Sequence, residues 1–115
     1  MVAIMWQFTV KDRREDEFEQ FFGADGEWNA TNRLTRSFLG TSFLRDQTSQ
    51  SRYILIEYWS EMVVYEKHHA DFSDEVAALE GKRDGLCVSV TPLGVFTTLD
   101  TPSRSGPTWS RRDGV

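Results

Sequence analysis

Three residues near the middle of this 115-residue chain carry the side chains best suited to chemistry. Trp59 closes a strand-like run, and Tyr65 and His68 follow it in a helix-like stretch. Residues three apart on a helix share a face, so the phenol hydroxyl and the imidazole point the same way. An indole wall, one hydroxyl and one imidazole suit a planar phenol better than a charged metabolite. The hydroxyl would donate to a developing oxyanion, and a neutral imidazole would take a proton. The competing reading keeps Trp59 and Tyr65 as packing residues and leaves His68 and His69 solvated near a helix end. These are the only histidines. Being adjacent, they point about 100° apart on a helix and cannot both face one metal ion.

Other candidates are quieter. Cys87 is the sole cysteine, which removes any intrachain disulfide and any zinc site needing two thiolates. A buried inert thiol is its default reading. The chain has no glycine-rich phosphate loop. No metal, flavin or other cofactor is therefore expected. Trp28 either packs a short helix onto the sheet or forms a pocket mouth. Glu57 shares a strand face with Leu55 and Trp59, so it is buried, paired with a group such as Arg45, or solvated at an edge. The acidic run from Glu15 to Glu19 reads as a solvated helix face.

The elements that position these residues follow from periodicity. VAIMWQFTV (2–10) alternates as a strand, with Val2, Ile4, Trp6, Phe8 and Val10 on one face. Asp12 and Glu15 have capping-box spacing for a helix whose apolar stripe is Phe18, Phe21 and Phe22. Gly23 and Gly26 interrupt it, and a second piece carrying Trp28 runs to about Leu34. SFLGTSFLR (37–45) is the next strand, with Gly40 a bulge or close-approach point. DQTSQS (46–51) is a turn, and RYILIEYW (52–59) is the third strand. Ser60 is placed to cap a helix over 61–69. A further helix begins at Asp71 or Ser73, buries Phe72, Val76 and Leu79, and ends at Gly81 or Gly85. LCVSVTPLGVFT (86–97) is a last strand, and Pro92 and Gly94 place it at a sheet edge or bend it.

Composition narrows the class. One chain of this length supports one core. Thirteen basic residues against 18 acidic ones, net −5, argue against nucleic-acid binding, which needs a basic face. Apolar runs fall far short of a bilayer span, so no membrane insertion is expected. A single free cysteine and the absence of a basic leader fit a reducing, cytoplasmic setting. Residues 1–100 form the domain. Residues 101–115, rich in Pro, Ser, Gly and Arg, read as a flexible tail.

The order β-α-β-β-α-β is the split-βαβ, ferredoxin-like α+β plan with an antiparallel sheet. Two helices cover only one face of such a sheet, yet both faces of its strands are half apolar. Ile54, Ile56 and Tyr58 alternate with Tyr53, Leu55, Glu57 and Trp59. The simplest second cover is another copy of the sheet, which predicts a homodimer through the sheet face, a dimeric α/β barrel.

The segment from Phe18 to Phe96 resembles the antibiotic biosynthesis monooxygenase (ABM) domain of the dimeric α/β-barrel superfamily. The resemblance lies in Phe18–Phe21 with Gly26 and Trp28, in FLGTSFLRD (38–46), and in RYILIEYW (52–59) with Tyr65 six residues on. It implies a monooxygenase that oxidises small aromatic or polycyclic phenolic substrates with molecular oxygen and needs no metal or flavin. The family's strand-ending Trp and following Tyr match Trp59 and Tyr65. Its Asn four residues before the Trp is Leu55 here, and its helix Arg falls near Leu79. Together with the reading of the residues, the candidate site is Tyr65 and His68 for chemistry, with Trp59, Trp28 and Leu55 lining the substrate pocket. A dimeric binding or sensing module that holds an aromatic ligand without chemistry is the alternative. The haem-degrading branch, whose ligating histidine would fall at Val76–Leu79, is a minor third reading.

Overall fold

The structure, a computed structural model, describes residues 1–99; the tail assigned to 101–115 lies outside the described residues. Its elements run β1 (Val2–Val10), α1 (Glu15–Phe22), α2 (Glu27–Asn32), β2 (Phe38–Arg45), β3 (Arg52–Trp59), α3 (Met62–Asp71), α4 (Ser73–Leu86) and β4 (Cys87–Thr97). The strands form one antiparallel sheet in the order β2-β3-β1-β4. This is the expected ferredoxin-like α+β arrangement.

Strand register sorts the side chains. Ile4 lies opposite Glu57, Trp6 opposite Leu55 and Phe8 opposite Tyr53. These alternate residues share one face, and on β3 every one of them is buried while its neighbours are not. Against that face α1 sets Phe18, Phe21 and Phe22. Phe18 has no exposed surface, and its ring centroid lies 5.0 Å from Phe22, 5.0 Å from Tyr53 and 5.3 Å from Phe8. Burying several rings there supplies most of the apolar driving force of so small a domain. The opposite face shows half-buried Met5, Ile54, Ile56 and Tyr58 and exposed Leu44 and Phe96.

Two glycines meet specific demands. At Gly40 the backbone takes φ 116°, and the β2–β3 register shifts between Phe38 and Gly40, so the expected bulge is present. At Gly26 a Cβ would fall 2.3 Å from the carbonyl oxygens of Gln20 and Phe21. Only glycine lets α2 start so close to the end of α1. On β4 the register with β1 shifts near Pro92 and Gly94, and β4 is an edge strand, as a proline there requires.

Helix ends differ from the sequence reading. The N-cap of α1 is Arg14 and carries no side-chain cap bond, so the Asp12–Glu15 box does not form. Glu61 rather than Ser60 precedes α3, and Phe72 precedes α4. Gly81 and Gly85 do not end α4, which continues to Leu86. Both glycines are solvent-exposed, where glycine weakens a helix by about 1 kcal/mol, and the burial of Arg83 and Leu86 holds the last turn down.

Candidate functional site

Trp59, the last residue of β3, is completely buried beneath α3. Its ring lies 5.5 Å from Tyr65 in an edge-on contact and 5.0 Å from His68. The three residues predicted to converge do so. Tyr65 is half-buried, and its ring centroid lies 4.2 Å from that of His69, one turn on, with the two rings tilted by 48°. Burial, followed by the negative charges of Glu57 and Glu80, pushes its hydroxyl well above the ordinary tyrosine range. The hydroxyl therefore stays protonated at neutral pH and is a donor.

His68 is not solvated, against the alternative reading of the histidines: it is 1% exposed. It falls on the inner face of α3, between Trp59 and the Phe72 ring 5.0 Å away. Its Nδ1 shares a hydrogen bond with the Thr35 hydroxyl, while its Nε2 is buried with no protein partner. Burial, reinforced by the neighbouring His69, lowers its pKa and keeps the ring neutral.

The residue that spacing left open, Glu57, is the buried centre of this face. It is 1% exposed and makes no pair with Arg45, which instead meets Glu19 at 3.0 Å. Its Oε2 accepts from the Trp28 indole N–H and from Asn32 Nδ2 at 3.1 Å; its Oε1 accepts from Trp59 Nε1 at 3.2 Å. All three partners only donate, so they complement the ionised carboxylate. Burial nonetheless raises its pKa, against the pull of these donors and of Arg83. Trp28 thus does more than pack: it ties α2 to the sheet through a buried carboxyl acceptor.

Leu55 lies beyond Glu57 on the same face, inside the core cluster with Phe8, Phe22 and Tyr53, and away from Trp59. Leu79 is half-buried and shares a crevice with Trp28, Thr31, Asn32, His69 and Val76. This crevice has no room for a water-sized molecule, so a ring entering beside Trp28 must displace side chains of α3 or α4. The buried cation of α4 is Arg83, one turn beyond Leu79. Sequence reasoning missed it, although Val76, Leu79, Arg83 and Leu86 fall on one stripe of the helix and mark a charge on an apolar face. Among the described residues no cluster of three metal-ligating side chains occurs, and no helix is long and apolar enough to cross a membrane.

No family model matches this chain, and no curated protein matches it in sequence. Solved structures do match in fold. An antibiotic biosynthesis monooxygenase aligns with TM-score 0.62 and 16% identity, over 86% of this chain and 99% of that one. SnoaB, a cofactor-independent oxygenase from Streptomyces nogalater, aligns with TM-score 0.64 and 22% identity, over 88% and 95%. A NIPSNAP family protein from Agrobacterium tumefaciens aligns with TM-score 0.64 and 9% identity, over 86% and 93%. At such identities the likeness is one of fold. The fold implied by the sequence resemblance is the fold the chain has, and proteins of different family names share it.

Proposed function

We propose that this chain is an ABM-type monooxygenase that oxidises a small aromatic or polycyclic phenol with molecular oxygen, without metal or flavin. The observation that carries the reading is the convergence of Trp59, Tyr65 and His68 in one dry neighbourhood. In the proposed step the substrate loses a proton, and its electron-rich anion then reduces oxygen. Trp59 and Trp28 supply flat walls, Tyr65 donates to the oxyanion, and neutral His68 is placed to receive the proton. Two copies pair through the open sheet faces, each pair enclosing a barrel. Likeness in fold to SnoaB and to the antibiotic biosynthesis monooxygenase supports this choice of reaction class.

The test is oxygen uptake with a panel of anthrones and hydroquinones. Tyr65→Phe deletes one donor while keeping the ring against Trp59, and should slow turnover by the equivalent of about 2–4 kcal/mol. Uptake that survives in both Tyr65→Phe and His68→Ala would leave an oxygenase with its site elsewhere. Leu55, apolar where the resembling family has an amide, favours the second reading, a module that holds an aromatic ligand without chemistry. Binding of the panel with no oxygen uptake above background would select that reading.

A further inference from the structure

Where the end of α4 meets β1 and β4 lies a cleft of about 460 Å³, lined by Trp6, Arg83, Asp84, Cys87, Ser89, Val90 and Pro92. Its volume is in the range of small-molecule sites, roughly 300–1,000 Å³. Arg83 contributes to it a side chain that is only 8% exposed. The guanidinium carbon is 5.4 Å from the Trp6 ring centroid and 5.9 Å from that of Trp28. Two indoles therefore flank a guanidinium, and the Trp28 indole is itself fixed by its bond to Glu57.

Arg83 is underused. Its Nε donates to Asp84 Oδ1 at 3.0 Å, and no other hydrogen bond is made by its side chain among the described residues. The only buried side-chain polar atoms left unpartnered among those residues are Asn29 Oδ1 and His68 Nε2. The two terminal nitrogens of Arg83, without a hydrogen-bond partner among the described residues, thus keep contact with solvent, and Arg83 is one of the residues lining the cleft. Burial holds the Cys87 thiol protonated, its pKa pushed up to about 11, so that wall does not repel an anion. Ser89 adds a hydroxyl, and Val90 and Pro92 add apolar surface.

We propose that this cleft binds the carboxylate of a planar aromatic acid, with the two terminal nitrogens of Arg83 donating to the carboxylate and Trp6 stacking on the ring. A planar fork of donors matches a carboxylate in two parallel bonds, and a guanidinium already flanked by indoles loses little freedom on binding. The negative groups facing Arg83 are Asp84, on its own helix, and Glu57, from the sheet; Asp84 competes for the same guanidinium. The cleft is not lined by Trp59, Tyr65 or His68, and the proposal stands whether or not the chain is an oxygenase.

Tryptophan fluorescence and calorimetric titration of the full chain with 1-naphthoate and with the uncharged 1-naphthamide test it. The acid should bind at least about tenfold more tightly than the amide, as expected for a buried charge-assisted pair. Arg83→Met should abolish that preference. Asp84→Asn, at an exposed position that leaves the core untouched, should tighten the acid severalfold, which keeps the test alive if Arg83→Met fails to fold. Tyr65→Phe should leave the acid's affinity unchanged. Equal affinity for acid and amide, no binding of either at millimolar concentration, a preference that survives Arg83→Met, or no gain in Asp84→Asn would each overturn the proposal. Loss of acid binding in Tyr65→Phe would overturn it too, by moving the ligand to the α3 site while leaving the oxygenase reading standing.

Discussion

Replacing Trp28 by Phe isolates the bond that anchors α2 to the sheet. The smaller ring still faces Phe22, whose centroid is 5.3 Å from the indole, and Phe21 at 6.2 Å. What disappears is the indole N–H that donates to Glu57 Oε2. Leaving a buried acceptor without its donor costs about 1.5–3 kcal/mol. Partial loss of ring area adds about 1 kcal/mol, since Trp28 is only 5% exposed. The single variant should therefore lose about 2.5–4 kcal/mol in urea unfolding at pH 7. In a Glu57→Met background the acceptor is gone, so Trp28→Phe should cost only the packing part, about 1 kcal/mol. The coupling between the two positions should be about 1.5–3 kcal/mol. Additivity within about 0.5 kcal/mol would refute the reasoning, because it would mean that the indole and the carboxylate do not hold each other. The assay needs both circular dichroism and fluorescence, since Trp28 is itself one of four reporters.

Two further outcomes are expected. In light scattering at micromolar concentration the chain should give close to twice 13.3 kDa, and a stable monomer would remove the sheet-face pairing. Burial lowers the His68 pKa below its ordinary 6.5, so on acidification the unfolded chain takes up protons before the folded one. The stability due to neutral His68 is then present above pH 6.5 and lost as pH falls below it. Unfolding midpoints should drop between pH 7 and 5, with a shallower slope in His68→Asn; an unchanged slope would refute the buried neutral ring.

Much of the architecture was legible in the chain because it depends on local rules. Alternation along 2–10 and 52–59 assigned the buried faces, since a strand turns successive side chains to opposite sides. Phe18, Phe21 and Phe22 marked the inner stripe of α1, and Gly40 and Pro92 marked a bulge and an edge. The grouping of Trp59, Tyr65 and His68 was also readable, because a strand end and the helix that follows it are neighbours by connectivity alone. Helix ends were less legible. Ser60 and the Asp12–Glu15 pair have the right chemistry for caps, yet tertiary packing set the starts, and burial of Arg83 and Leu86 carried α4 past two glycines. The environment of Glu57 could not be read at all. Its donors lie 29 and 25 positions away on α2, and no periodicity links a carboxylate on a strand to an indole on a distant helix. Arg83 is the same case, for its flanking rings belong to β1 and α2. Spacing in the chain decides which face a residue takes, because that depends on backbone geometry within a few residues. Whether a buried charge there finds donors, rings or an open cleft depends on elements that only folding brings together.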